Sequence, residues 1–373
     1  MSRRPAGIML LTWCAFAVGA ASSAGLGIQS AIGAELFRNV VIDNAKPRRD
    51  TMGDIVDVHE GCLKLFHGKY YLYGTHYDMR HREGSDNTFA VYSSSDLHTW
   101  TKESDSIVQE HWPAIYARPK VIYEAKTRNY VLWFYTVAKD DGGTWRSKTS
   151  VALSRHPSGP FGVVRDAGRL QYADPGDFAI FVDADGIGFV AYSHGDDEST
   201  YPTKEEPIKH HQVVIERLSA DYLNGSGEVT NAVAGNVEAP VLFKRRHRYY
   251  LLFDNTCEWC KNGSGVRVYV GTAPMGPFVY GGNINRENSR QSPWTYPGTG
   301  REDNIVKAQE TDVAVLPSAH GDIYLWMGDR WDSSLDGISG HDFEYWQPLS
   351  FDDNGMIEKL RNQDDWVLQE VAN

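Results

Sequence analysis

Short apolar runs separated by turn residues fill this chain, and they recur in pairs. Tyr70-Tyr71-Leu72-Tyr73-Gly74, Tyr130-Val131-Leu132-Trp133-Phe134, Gly188-Phe189-Val190-Ala191-Tyr192, Tyr249-Tyr250-Leu251-Leu252-Phe253 and Ile323-Tyr324-Leu325-Trp326-Met327 each follow another apolar run across a tight turn. Runs of this length, rich in aromatic and β-branched residues and bounded by turns such as His67-Gly68 and Asp183-Ala184-Asp185-Gly186, predict β-hairpins. A third run follows each pair: Phe89-Ala90-Val91-Tyr92, Val151-Ala152-Leu153, Val213-Val214-Ile215, Val268-Tyr269-Val270 and Tyr345-Trp346. No long stretch carries a helical period, which excludes βαβ and α/β-barrel folds.

The units open on His59, Arg118, Asp177, Glu238 and Gln309, with separations of 59, 59, 61 and 71 residues. An even period of about sixty residues holding four short strands predicts an all-β, five-bladed β-propeller. Its blades start near 57, 116, 175, 236 and 307. A pair of packed β-sandwiches is the alternative, but it gives no reason for the even period. Residues 25–373 are expected to form this one domain. Residues 25–44 lead into the ring, and 351–373, with Trp366 and Val367, return to seal it, because an open ring exposes sheet edges.

The first residues stand apart. Arg3 and Arg4 precede the apolar stretch Ile8 to Val18, and Ser22, Ser23 and Ala24 supply small residues for cleavage. Residues 1–24 therefore read as a secretory signal peptide rather than a membrane span, and the protein is expected to be secreted. An uncleaved anchor is the other reading. Beyond it lie Cys62, Cys257 and Cys260. The last two form a lone CxxC, which favours a local disulfide over zinc, since a second ligand pair is missing. Asn224-Gly225-Ser226 and Asn262-Gly263-Ser264 are potential glycosylation acceptors.

Composition narrows the partners. With 37 basic against 49 acidic residues the formal charge is -12, which argues against nucleic acid or an anionic membrane as partner and leaves a neutral oligosaccharide or polysaccharide open. The chain has 11 Trp and 20 Tyr, whose rings fill blade cores and can stack on sugars. A monomer without cofactor is expected. No loop has the oxygen-rich spacing of a dedicated calcium site, so no metal is expected either.

A propeller brings residues sixty apart in sequence to one axis. If the unit openers converge there, the funnel holds two acids, a guanidinium, an imidazole and an amide. Buried charge is costly unless paired, so this set is a poor choice for mere structure. Cleaving a glycosidic bond needs a protonated acid at the leaving oxygen and, for inversion, a base that activates water. Glu238 is the candidate acid and Asp177 the neighbour that tunes it. The competing structural readings are a salt bridge from Glu238 to Arg118 or Lys120 and a turn cap by Asp177. For the base, Asp57 and Glu60 lie near the first blade's start, and regular strand alternation sets Glu60 on the side opposite to Asp57 and His59. Gln309 can position water but is a poor proton acceptor, and Glu310 should point away from it. Arg118 can contact sugar hydroxyls. Trp112, Trp145, Trp259, Trp294 and Trp331 are candidate stacking platforms, and Asp329-Arg330-Trp331 can help close the ring.

Glu238-Ala239-Pro240-Val241-Leu242-Phe243-Lys244 with Tyr249-Tyr250-Leu251, and Arg118-Pro119-Lys120-Val121-Ile122-Tyr123, resemble glycoside hydrolase family 43. The ordered matches His59 with Gly61, Tyr92-Ser93-Ser94-Ser95-Asp96-Leu97, Ser154-Arg155-His156-Pro157-Ser158-Gly159-Pro160-Phe161, Ser219-Ala220-Asp221-Tyr222-Leu223, Met275-Gly276-Pro277-Phe278 and Asp329-Arg330-Trp331 look most like its exo-β-1,3-galactanase branch. The resemblance implies an inverting hydrolase of β-1,3-galactan or arabinogalactan. It implies Glu238 as general acid, Asp177 as pKa modulator and Gln309 where other members carry an aspartate base. His59, Arg118, Trp259, Asp57, Glu60 and Trp331 are then candidate substrate contacts. This chain departs from the branch at Ala117 and Thr75, where acids are usual, and at Cys257-Glu258-Trp259 and Glu60, where Thr-Gly-Trp and a glycine are usual. A catalytically silent carbohydrate-binding propeller is the rival reading.

Overall fold

The computed structural model describes residues 37–78, 87–166, 168–195, 211–235, 237–255, 259–287 and 304–372. The expected signal peptide, Cys257, Glu258 and Trp294 lie outside these residues. Strand β1 (Phe37–Asp43) precedes the ring. The first blade comprises β2 (His59–Phe66), β3 (Lys69–His76), β4 (Thr88–Ser94) and β5 (Thr101–Ser104). The second comprises β6 (Ile115–Glu124), β7 (Asn129–Lys139), β8 (Trp145–Ser154) and β9 (Gly162–Arg165). The third runs through β10 (Phe178–Val182), β11 (Gly188–His194), β12 (Gln212–Leu218) and β13 (Gly225–Val229). The fourth runs through β14 (Val237–Arg245), β15 (Arg248–Asn255), β16 (Arg267–Gly271) and β17 (Phe278–Asn283). The fifth has β18 (Gln309–Leu316), β19 (Ile323–Arg330) and β20 (Phe343–Pro348), and β21 (Asp365–Ala372) ends the fold.

Every blade is an up-and-down antiparallel sheet whose first strand is innermost. The innermost strands pack in ring order, β2 on β6, β6 on β10, β10 on β14, β14 on β18, and β18 back on β2. This is the five-bladed propeller that the period predicts. The fifth blade has three strands rather than four. The tail runs elsewhere: β21 pairs with β1 in a separate two-stranded sheet, and Ser318, two residues past β18, bridges to Val371.

Apolar faces alternate along each strand and fill the gaps between neighbouring blades. One core joins the first and second blades through Tyr73, Phe89, Val121, Leu132 and Phe134. A second joins blades two and three through Trp133, Phe178 and Tyr192, and a third joins three and four through Ala191, Leu242 and Phe253. The ring closes over a core that unites blade five, blade one and the terminal sheet, with Trp100, Trp346, Leu63 and Leu368. A further core joins blades four and five through Val268, Val313 and Trp326, and burying the polar axis behind these five apolar walls leaves the innermost strand starts as the place where chain polarity collects.

Candidate active site

The strand starts carry a shared irregularity. β2, β6 and β14 each contain a bulge, with register shifts between His59 and Cys62, Ala117 and Lys120, and Glu238 and Val241. Glu60, Arg118 and Ala239 are the bulged residues, and each adopts a left-handed backbone with φ of 57°, 55° and 51°. β18 is bulged between Glu310 and Asp312. A bulge sets two residues against one and re-aims the side chains around it. In the third blade Asp177 stands just before β10, its carbonyl accepting the Ser193 N–H.

Aligned on the bulges, one level of the axis holds His59, Ala117, Asp177, Glu238 and Gln309. Arg118 belongs one residue further in, beside Glu60, so it is not the equivalent of His59 that spacing alone suggests. Ala117 gives that level one methyl group among four polar side chains.

Asp177 is fixed by three donors. Arg118 Nη2 and the Ala239 N–H reach its Oδ2 at 2.9 and 3.1 Å, and the Tyr135 hydroxyl reaches Oδ1 at 3.1 Å. Because Ala239 follows Glu238, this links the second, third and fourth blades at the carboxyl pair. Burial works against the Arg118 charge, but Asp177, Glu60 and Glu238 around it raise its pKa, so it stays a cation. Arg118 also donates to the Glu310 carbonyl at 3.1 Å. Lys120, on the same strand, donates to the carbonyls of Gly61 and of Thr311, the latter at 2.7 Å. Arg118 thus pairs with Asp177, and Lys120 ties backbone to backbone.

Glu238 is buried, with 8% of its surface exposed. Gln309 Nε2 donates to its Oε1 at 2.9 Å. The other end of that amide is held too: Gln309 Oε1 accepts the Trp331 indole N–H at 2.8 Å and the Cys260 N–H at 3.4 Å. Trp331, 2% exposed, is therefore a strut that orients Gln309 rather than a free stacking platform. Cys260 is disulfide-bonded, and Cys62 is a buried free thiol.

On the first blade His59 lies between two carboxylates, with Nδ1 at 3.2 Å from Asp329 Oδ1 and Nε2 at 3.6 Å from Asp57 Oδ1. Burial alone lowers its pKa, but the hydrogen bond and charge of Asp329, reinforced by Asp57, push it up to about 10. Asp57 is otherwise spent on the first blade itself, accepting from the Tyr77 and Asp78 N–H groups and pairing with His76 at 3.0 Å. Glu60 is where regular alternation fails. The bulge puts its N–H on Asp329 Oδ2 at 2.7 Å and its carboxyl Oε2 beside the hydroxyls of Thr75 and Tyr77, at 3.2 and 3.3 Å. Burial pushes its pKa up to about 7 against the charge of Arg118, and Asp177 and Asp329 add to the rise. A carboxyl that feels Arg118 and Asp177 lies on the axis, not on the far side of the strand.

Several axial groups escape a reading of strand starts alone. Asp329 and Asp254 sit on second strands, directly across from Gln309 and Glu238. Tyr135 likewise faces Ala117. The signal that finds them is the end of each second strand, where a polar residue opposes the unit opener. Glu310 does turn away from Gln309: it is fully buried, its Oε2 takes the Trp326 indole N–H at 2.7 Å, and its N–H donates to Asp254 Oδ2 at 2.8 Å. Burial raises the pKa of both carboxyls of this pair. Among the aromatic candidates, Trp112 packs on Tyr116, and Trp145 is 55% exposed at the start of β8 beneath Lys139. Trp259 stands in the turn before Cys260. Among the described residues, no group of three or more His, Cys, Asp or Glu is placed to hold a metal ion, and no helix is long and apolar enough to cross a membrane.

Two acids, one amide-held and one guanidinium-held, thus meet at the axis of the five-bladed ring. Residues 61–318 match the sequence profile of glycosyl hydrolases, family 43. The chain belongs to this family. Its fold is shared with a family 43 β-1,3-galactosidase, BT0265, at 23% identity and a TM-score of 0.69, over 89% of this chain and 64% of that one. It is shared also with the exo-β-1,3-galactanase of Phanerochaete chrysosporium bound to galactose, at 22% identity and a TM-score of 0.69, over 88% of this chain and 69% of that one. An exo-β-1,3-galactanase from Clostridium thermocellum matches at 24% identity and a TM-score of 0.64, over 87% of this chain and 66% of that one. The chain thus spans about two thirds of the length of these three proteins. No curated protein matches the sequence. Family membership and fold together support a glycoside hydrolase.

Proposed function

We propose that this family 43 protein is a secreted hydrolase that releases sugar from β-1,3-galactan or a related arabinogalactan-type polysaccharide, with inversion. Glu238 is the general acid, Asp177 the carboxylate that tunes it and Gln309 the residue that orients it. The observation that carries this reading is the 2.9 Å hydrogen bond from the Gln309 amide to Glu238 Oε1. An amide N–H into Oε1 orients the carboxyl, and Oε2 is assigned the proton delivered to the leaving sugar. Asp177, joined to the residue after Glu238 through the Ala239 N–H at 3.1 Å, is the group to which we assign the tuning of that proton. The names of the structural neighbours suggest galactan, and the polar side chains collected at the axis suit a neutral sugar.

Ala117 favours a second reading, a propeller that binds carbohydrate without cleaving it, since it removes one polar group from the axial level. Incubation with β-1,3-galactan, resolving product anomers by NMR, separates the two. The hydrolase reading expects galactose released with inverted configuration, and loss of turnover in Glu238→Gln. Binding by calorimetry without any product supports the silent propeller, and unchanged turnover in Glu238→Gln removes the acid assignment.

A further inference from the structure

The β7–β8 hairpin of the second blade projects past the axial level. β3, β15 and β19 end one residue beyond Thr75, Asp254 and Asp329, the partners of His59, Glu238 and Gln309. β7 continues four residues beyond Tyr135, the partner of Ala117, and pairs with β8 as far as Lys139 and Trp145. At the usual rise of a strand this sets the tip about 13 Å beyond that level. The projection is at the end of the ring nearest the axial carboxyls, because Ala117 is the third residue of β6 and the β6–β7 turn lies at the far end.

Side chains two apart share a face of a strand, so Tyr135, Val137 and Lys139 line up with their partners Thr149, Ser147 and Trp145. That face looks onto the third blade: the Tyr135 hydroxyl donates to Asp177, and Ser147 Oγ donates to the Pro175 carbonyl at 2.8 Å. The tip is braced. Asp140 Oδ1 accepts the N–H groups of Gly142 and Thr144, each at 2.9 Å, and Arg146 reaches Asp140 at 3.3 Å and Asp174 at 3.1 Å. Trp145 is the one exposed tryptophan among the described residues, and Lys139 Nζ lies 5.1 Å from its ring centroid. Two residues before Asp174, Tyr172 is 38% exposed, and its ring lies flat on His194, with centroids 3.9 Å apart and planes 3° from parallel. Neither ring belongs to the apolar cores on either side of the third blade. Large aromatic surface left in water at a braced position is poorly explained by folding alone.

We propose that Trp145 and Tyr172 form an outlying subsite that holds the polysaccharide chain beyond the sugar at the axial level. The inference rests on the hydrolase reading above and states how such an enzyme engages a polymer. A sugar held at the level of Asp177 and Glu238 is joined to a chain that leaves by the near end of the ring, past this rim. The C–H face of a pyranose packs on an aromatic ring, while the side chains of Arg146 and Asp174, 57% and 42% exposed, offer a donor and an acceptor to its hydroxyls. Bracing of the hairpin and stacking on His194 fix the rings in advance, so little freedom is lost when the chain docks. The rim takes no part in bond cleavage, and its effect falls on the binding of long substrates.

The test compares wild type, Trp145→Ala and Trp145→Phe on an aryl β-galactoside and on a long β-1,3-galactan oligosaccharide. Trp145→Ala should raise KM for the oligosaccharide by about 10-fold, the worth of one aromatic contact, with kcat unchanged. The aryl substrate is too short to reach the rim and should be turned over as by wild type. Trp145→Phe should recover most of the loss, and Tyr172→Ala should show the same dependence on substrate length. An equal loss on both substrates would overturn the proposal, since the hairpin would then be supporting the axial site instead. So would kinetics unchanged by Trp145→Ala on the oligosaccharide; either result leaves the hydrolase reading standing. If wild type turns over neither substrate, that reading falls, and calorimetry with the oligosaccharide decides the rim. Binding weakened by Trp145→Ala upholds it, whereas binding that ignores the substitution, or no binding, overturns it.

Discussion

Gln309 donates its amide N–H to Glu238 Oε1 across 2.9 Å, joining the fifth blade to the fourth at the point where the candidate acid sits. A buried carboxyl deprived of that donor is both less oriented and less satisfied. Gln309→Leu should therefore reduce kcat by about 10- to 100-fold, the cost of leaving one buried polar partner unmatched. Trp331→Phe, which frees only the far end of the amide, should produce a smaller loss in the same direction. Steady-state kinetics on β-1,3-galactan read both.

Arg118 and Asp177 form a buried pair, with side chains 3% and 12% exposed. Removing the cation strands the carboxylate and also cuts the link to the Glu310 carbonyl. Arg118→Met should destabilise the fold by about 3 kcal/mol. Urea unfolding followed by tryptophan fluorescence gives the value, and a change of a few tenths would show that solvent reaches the pair.

Glu60 occupies the left-handed region with its carboxyl desolvated. Glu60→Gly relieves the backbone and removes the buried acid, so it should be at least as stable as wild type, with a gain of about 1 kcal/mol. A melting temperature several degrees lower would mean that the hydroxyl contacts of Thr75 and Tyr77 outweigh the strain.

Stability should fall as pH rises through the neutral and alkaline range. Glu60 and Glu344 have pKa values raised by burial from 4.5 to about 7, so each binds its proton more tightly folded than unfolded. Their contribution is full below pH 4.5 and is lost as pH passes 7. His59, despite burial, is raised from 6.5 to about 10 by Asp329 and Asp57. Its contribution is full below pH 6.5 and disappears as pH passes 10. Thermal melts between pH 5 and 10 should decline throughout, and His59→Gln should flatten the alkaline part.

The order of apolar runs and the spacing of their polar openers determine five blades and the level at which His59, Asp177, Glu238 and Gln309 meet. Strand periodicity and repetition are local properties, so the chain displays them without folding. The same is true of the Asp183 to Gly186 turn, whose Asp183 N–H bonds the Ile187 carbonyl and whose Gly186 has φ of 81°.

Only the tertiary structure decides what the bulges do. A single extra residue per strand moves Arg118 off the level of His59 and turns Glu60 toward the axis. Gly61 allows this, since a Cβ there would meet the Tyr73 carbonyl oxygen at 1.6 Å. Partnerships across blades are equally hidden: Asp329 with His59 and Lys120 with Thr311 join residues 270 and 191 positions apart. Such contacts depend on ring closure, which sums the twist of all five sheets and has no counterpart in any one segment of sequence.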